Sequence, residues 1–573
     1  MKAFLFKFMK SQTSTWLFIL AFSLLTTATT FAEIRNIFVQ QNCITEWSYQ
    51  SAKTYENPFR EVVLDAIITT PSGKELKVPA FWAGGNEWSF RYSSGELGDH
   101  TFRTVCNDTK NRALHHQTGK ITVIKYDGTN PLFQHGPLKI ASDRRNFMHA
   151  DGTPFFWLAD QWWHGMTTRF AWPEDFQVLT QDRKKKGFSV IGFAVGFPCD
   201  IAPFDPRGQN EAGDPWMDST FTSINPAYFD LADLRINHLV SQGLVPSVMG
   251  TWGYYIKWAG VENMKAHYRY LVARYGAYPI TWILAGEVTL AYYLDLDGEW
   301  EKYKAIFREQ WSEVGQYLQE NDPYDRLVTV HPGPGIWDGK PPLDDMDVLD
   351  FIFLQSGHSG YHTLPRAVSQ VYDNLELYPD RPVLHGEVCF EGMQGSSGPD
   401  IQRFLFWSNV LSGTAGFSYG VEGIWQFNTE EQPFGASPQG SVWGNVPWET
   451  AYQYKGSEQV GIGKQIMEEF EYWRFRPHRE WVRSKDPEDI FGPYCAGIPG
   501  EVRVIYMNRF PTGYNPYELV DLEPGKTYWY RYYDPITGER YPVKEFKAGR
   551  NGEWSIDGPP VKQDFVLAVF NDL

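Results

Sequence analysis

Two short stretches of this chain end in the same pair of residues. Residues 280–287 read Ile-Thr-Trp-Ile-Leu-Ala-Gly-Glu, and residues 382–387 read Pro-Val-Leu-His-Gly-Glu. In each, an apolar run reaches a glycine and then a carboxylate, Glu287 or Glu387, 100 positions apart. Two carboxylates delivered at strand ends are what hydrolysis of a glycosidic bond needs: one protonated to assist the leaving oxygen, the other ionised to attack or stabilise the anomeric carbon. Taken alone, either Glu reads equally well as a helix cap or an arginine partner; the repetition favours chemistry.

The elements that must position such a pair follow from the rhythm of the chain. From residue 155 to about 470, short apolar runs alternate with helical patterns. The runs are 155–160, 190–195, 244–249, 280–285, 327–331, 349–355, 382–386 and 415–419. Helices are expected over 173–186, 226–242, 261–275, 300–320, 364–377, 401–411 and 457–470, with an irregular Pro/Gly-rich segment after the fifth run. Eight strand–helix units of this kind predict a (β/α)₈ barrel, in which chemistry sits at the C-terminal ends of the strands.

Reading those ends collects Asp160, Trp163 and His164, then Cys199 and Asp200, Trp252, Glu287, His331, Gln355, His358, Glu387 and Tyr419. Placement on the fourth and seventh strands makes Glu287 the expected general acid/base and Glu387 the expected nucleophile. A carboxyl separation of about 5–5.5 Å means retention of configuration and about 6.5–9.5 Å inversion; retention is the expectation here. Asp160, His331, Gln355 and His358 are candidates to hydrogen-bond sugar hydroxyls, with helix capping open for Asp160. Trp163 and Trp252 either stack on a sugar ring or belong to the core. His385, two residues before Glu387, points to the same side of its strand and reads as a packed neighbour. Glu391 is a weaker carboxylate candidate, and Asp200, Asp205 and Asp214 read as mostly solvated loop residues.

On either side of the barrel the pattern turns to strands with frequent turn signals, giving a β-sandwich over 33–126, a barrel over 127–479 and a second sandwich over 480–573. Residues 1–32 read as a secretory signal: Lys2, Lys7 and Lys10, an apolar stretch from Trp16 to Leu25, and Thr30-Phe31-Ala32 before the cut. A secreted or periplasmic protein is therefore expected. The apolar stretch is too short to favour a membrane span. The formal net charge of −17 argues against nucleic-acid partners. Aromatics make up 16% of the chain, with 23 Trp, enough to suit a carbohydrate partner as well as a large core. The five Cys are odd in number, so one at least is unpaired; a Cys43–Cys106 bridge is open. There is no HExxH, which sets zinc-peptidase chemistry aside. No cofactor or metal is called for by a two-carboxylate mechanism, a structural calcium ion in a sandwich being left open along with the oligomeric state. A non-catalytic carbohydrate-binding protein on the same scaffold is the alternative, and the presence of both Gly-Glu pairs speaks against it.

Three barrel stretches, Phe155-Phe-Trp-Leu-Ala-Asp160, Asp182-Arg-Lys-Lys-Lys-Gly-Phe-Ser-Val-Ile191 and the Asp350–His358 segment with its Gln-Ser-Gly-His, resemble the apiosidase-like bacterial barrel family, which includes glycoside hydrolase family 140. Tyr55-Glu-Asn-Pro-Phe59 and Gly98-Asp-His-Thr-Phe102 resemble the sandwich found ahead of bacterial glycosidase barrels, and Tyr532-Tyr-Asp-Pro-Ile-Thr-Gly538 the sandwich attached behind this family, sometimes labelled collagen-binding. The resemblance implies cleavage of apiosyl linkages in the pectin rhamnogalacturonan II. It implies the nucleophile at Glu387 and the acid/base after the fourth strand, where the family often carries Asp and this chain carries Glu287.

Overall fold

The protein is described by a computed structural model covering residues 36–290, 300–334, 341–484, 486, 489–508, 517–560 and 562–572. The secretory signal read at 1–32 lies outside these residues.

The barrel is one sheet of eight parallel strands: β1 (Trp157–Gln161), β2 (Val190–Ala194), β3 (Val245–Met249), β4 (Thr281–Ile283), β5 (Val328–Thr329), β6 (Ile352–Gln355), β7 (Val383–Glu387) and β8 (Gly416–Tyr419). They run in the order β5-β4-β3-β2-β1-β8-β7-β6. Every residue of these strands is buried, because one face packs into the barrel and the other meets the helix layer. That is why they read as continuous apolar runs rather than alternating ones.

Closure between β5 and β6 uses a side chain. The Asp350 backbone N–H donates to the Val328 carbonyl (2.8 Å), and the Asp350 carboxylate accepts from the Val328 N–H (2.7 Å), standing where a strand carbonyl would. Thr329 Oγ1 donates to the Phe351 carbonyl (2.8 Å) beside it.

The outer layer holds α1 (Glu174–Lys185), α2 (Pro226–Ser241), α3 (Val261–Tyr275), α4 (Trp300–Asn321), α5 (Leu364–Leu377), α6 (Pro399–Leu411) and α7 (Lys455–Met467). Pro226 and Pro399 open their helices, where a missing N–H costs nothing. The β5–β6 link carries the short 3₁₀ turn Met346–Val348, in keeping with its Pro/Gly-rich sequence.

Ahead of the barrel, a five-stranded and a three-stranded sheet pair residues 36–124. Arg91 ties them to the barrel helices: its guanidinium bridges Asp233 (2.5 Å) and donates to the Arg274 carbonyl (2.9 Å). Behind the barrel, six-stranded and three-stranded sheets occupy residues 476–570. Arg403 on α6 grips Asp564 with two bonds of 2.9 Å, and Tyr506 donates to the same carboxylate.

All five cysteines are free thiols. Cys106 packs with Val62, Leu64, Trp88 and Leu114, while Cys43 sits in a loop outside that cluster, so the bridge left open by the sequence does not form. Among the described residues, no helix is long and apolar enough to cross a membrane.

Candidate active site

The two glycines of the Gly-Glu pairs explain the repetition. A Cβ on Gly286 would lie 2.2 Å from the Trp252 ring, and one on Gly386 would lie 2.2 Å from the Phe353 ring. Each glycine is thus the space into which an aromatic ring is laid, Trp252 from the segment after β3 and Phe353 from within β6, and the following glutamate is aimed from that packed point. Glu387 is the last residue of β7. Glu287 follows the bridge between Gly286 and Trp252, with φ at +42°, a left-handed conformation that costs a non-glycine residue about 1–2 kcal/mol. Strain of this kind persists where surrounding contacts enforce it.

Glu387 accepts four hydrogen bonds. His331 Nε2 (2.9 Å) and Trp163 Nε1 (3.3 Å) donate to Oε2; Gln355 Nε2 (2.6 Å) and His358 Nε2 (3.2 Å) donate to Oε1. Glu287 accepts from Gln355 Nε2 at Oε1 (2.9 Å) and from Trp252 Nε1 at Oε2 (3.2 Å). Because one amide nitrogen reaches both Oε1 atoms, at 2.9 and 2.6 Å, those atoms can be no further apart than the sum of the two distances, 5.5 Å.

The electrostatics separate the pair. Burial would raise Glu387, but the His331 interaction and the hydrogen bonds from His331 and His358 outweigh it and hold this carboxyl well below the usual carboxylate range. Glu287 is raised, first by burial and then by the Glu387 charge, against the opposing pull of His331, Gln355 and Trp252. One carboxyl is favoured charged and its neighbour protonated, the division that acid-assisted bond cleavage needs.

The cavity above the pair is walled by Trp163, Trp252, Gln355, His358 and both glutamates, together with Cys199, Asp200, Phe390, Trp425 and Trp443. Of the residues selected from sequence, Trp163 and Trp252 line it, and their indole N–H groups also hold the two carboxylates. Gln355 and His358 line it as well.

Asp160 is a correction. It is fully buried, paired with Arg183 Nε (2.6 Å) and bonded by Trp162 Nε1 (2.8 Å), and it does not reach the cavity. A buried guanidinium needs a carboxylate, and Asp160 serves that need. His331, expected to bind a hydroxyl, stands behind Glu387 with no exposed surface.

Other strand-end residues divide in the same way. His164 is buried against the Cys199 carbonyl (3.0 Å), and burial pushes its imidazole down to about 3. His385 is packed, with Asn409 donating to Nδ1 (2.8 Å). Glu391 is buried and held by Tyr419 (2.6 Å) and the Gly456 N–H. Asp205 pairs with Arg207 (2.7 Å) and Asp214 accepts from Gln209 (2.8 Å).

Asp200, expected from the sequence to be solvated, is buried, has φ +58°, and lines the cavity. Trp425 and Trp443, in the long segment after β8, also line the cavity, and no motif in the sequence marks them. Their signal in the sequence was composition only, Trp in a stretch with no periodicity. Among the described residues, no group of His, Cys, Asp and Glu is arranged to hold a metal ion.

Comparison with known proteins adds a family. The pattern of the apiosidase-like catalytic domain matches residues 141–474, more than half of the chain, and a domain of unknown function (DUF5060) matches residues 39–107. No curated protein matches this chain. Among solved structures, a candidate glycoside hydrolase of Bacteroides vulgatus is 18% identical over 93% of this chain and 99% of its own, with a TM-score of 0.67. A glycoside hydrolase family 5 protein of the same organism is 21% identical over 77% of this chain and 95% of its own, with a TM-score of 0.63. These likenesses are likenesses of fold.

Proposed function

Because this chain belongs to the apiosidase-like catalytic family and is a glycosidase, we propose that it hydrolyses an O-glycosidic bond of a plant or algal polysaccharide with retention of configuration, using Glu287 as acid/base and Glu387 as nucleophile. The observation that carries this reading is the single Gln355 amide shared by both carboxylates, which keeps their Oε1 atoms within 5.5 Å. That upper bound falls short of the about 6.5–9.5 Å of inverting enzymes and leaves no room for the water that inversion needs.

In the first step Glu287 gives its proton to the departing oxygen while a Glu387 oxygen attacks the anomeric carbon, forming a glycosyl ester and releasing the aglycone. Ester formation removes the Glu387 charge. That charge is one of the two causes that raise Glu287, so Glu287, now ionised, is better suited to take a proton from water. As Glu287 takes that proton, the water oxygen attacks the anomeric carbon, the bond from that carbon to Glu387 breaks, and Glu387 leaves as carboxylate.

The aromatic walls of the cavity suit the apolar faces of a sugar, and Gln355, His358 and Asp200 suit its hydroxyls. An apiosyl linkage of pectin is the first substrate to try. Glu287 is one methylene longer than the Asp frequent at that position in the family, which favours a linkage held slightly further from β4. The signal-like residues 1–32 favour action outside the cytoplasm.

The test is turnover of a panel of aryl glycosides and of pectic and algal oligosaccharides, with product analysis and Glu387→Gln as the control. Release of free sugar by the wild type and not by the variant supports the reading. Equal binding of a glycan by both, with cleavage by neither, favours a binding protein instead.

A further inference from the structure

His331 touches both halves of the pair, through different nitrogens. The backbone N–H of Glu287 donates to Nδ1 (3.2 Å), and Nε2 lies 2.9 Å from Glu387 Oε2. A backbone N–H can only donate, so Nδ1 must carry its lone pair inward and Nε2 must carry the proton. His358 is fixed in the same tautomer, with the Phe390 N–H on its Nδ1 (3.2 Å), but it reaches Glu387 alone and it lines the cavity. His331 has no exposed surface and is packed among the rings of Trp163, Trp252 and Phe353, at centroid distances of 5.3, 5.5 and 5.0 Å.

We infer that His331 is a two-sided positioning residue: Nδ1 holds the left-handed backbone from which Glu287 is aimed, and Nε2–H independently keeps Glu387 ionised. The first task follows from the φ of +42° at Glu287, a conformation with a cost that some contact must meet; the N–H bonded to Nδ1 belongs to that same residue. The second follows from the direction of the Nε2–H bond. The titratable groups around the device are Glu287 and Glu387 themselves, His358 on the far side of Glu387, and Cys199 and Asp200 in the cavity wall. In its kinetic consequences this inference rests on the proposed glycosidase mechanism.

The two tasks separate by substitution, because Asn places an oxygen where Nδ1 stands and Gln places an N–H where Nε2 stands. In His331→Asn the acceptor for Glu287 is kept and the donor to Glu387 is lost. The acidic limb of the pH–rate profile is expected to move to higher pH, while the ratio of rates on poor and activated leaving groups stays near the wild-type value. In His331→Gln the acidic limb is expected to stay, and rates on poor leaving groups to fall at least about ten-fold more than on activated aryl glycosides, the signature of a misplaced acid. Identical changes in both variants overturn the inference.

Two readouts do not depend on turnover. Crystal structures of the variants are expected to keep the Glu287 φ positive in His331→Asn and release it in His331→Gln; the same φ in both overturns the backbone role. In the wild type, ¹⁵N spectra of labelled histidine are expected to find the His331 proton on Nε2, and a proton on Nδ1 overturns both roles whether or not either variant folds. An inactive wild type with these structural results intact counts against the glycosidase mechanism alone.

Discussion

Glu287 and Glu387 present their Oε1 atoms to one nitrogen, Nε2 of Gln355, at 2.9 and 2.6 Å. Two carboxylates this close and this buried cannot both ionise cheaply. The environment decides which one does. Glu387 accepts from His331, Trp163, Gln355 and His358, whereas burial and the Glu387 charge raise Glu287.

This division fixes the shape of the pH dependence. In the proposed mechanism the active form has Glu387 ionised and Glu287 protonated. Glu387 is held low, so the acidic limb of kcat/KM should lie below the ordinary carboxylate value of about 4.3. Glu287 is held high, so the alkaline limb should lie above it. A kcat/KM profile in aryl glycoside hydrolysis checks both limbs; an alkaline limb at or below about 4.3 contradicts the assignment of the acid.

The leaving group isolates the acid. Glu287→Gln should slow cleavage of poor leaving groups by about 10²–10⁴-fold, the usual contribution of general acid catalysis. Activated aryl glycosides, whose departing oxygen needs no proton, should lose much less in their first step. Equal losses across a series of leaving groups count against Glu287 as the acid.

The same substitution should stabilise the fold, with a definite sign in pH. Glu287 holds its proton more tightly folded than unfolded. Its contribution is therefore fully present below the unfolded carboxylate pKa and is lost as pH rises through the raised folded value. Gln never ionises. The melting temperature of Glu287→Gln should match the wild type in acid and exceed it at neutral pH. A gain that is largest in acid runs against the raised pKa.

Much of this architecture was legible because barrel strands are buried on both faces and so appear as short apolar runs between amphipathic helices. The 280–285 run and β4 (Thr281–Ile283) differ only at their ends. The Gly-Glu pairs stood out because a glycine under an aromatic ring leaves a mark in the sequence. Partnership did not. Asp160 pairs with Arg183, 23 positions away, through the packing of α1 on the barrel, which no local pattern encodes. His331 and His358 both sit at strand ends, and only the fold turns one into the cavity wall and the other behind Glu387. Asp200 looked like a solvated loop residue because the loop that buries it is irregular.

Asp160 gives the corrected assignment its own test. Among the described residues, Asp160→Asn leaves the buried Arg183 with only Asp182 as a charged partner (2.5 Å). Removing one member of a buried pair costs about 3–5 kcal/mol, and the remaining partner puts the expectation near the lower end. Denaturant unfolding should register that loss while KM of the folded enzyme stays near the wild-type value. A raised KM with unchanged unfolding returns Asp160 to substrate binding.

The configuration of the sugar first released is the most direct measure of how Glu287 and Glu387 work together. Proton NMR of an aryl glycoside during its hydrolysis, read before mutarotation, should find the anomer of the substrate, as expected for a pair of carboxylates within 5.5 Å and a covalent intermediate on Glu387. Release of the opposite anomer would contradict the nucleophilic role of Glu387 and the geometry on which it stands.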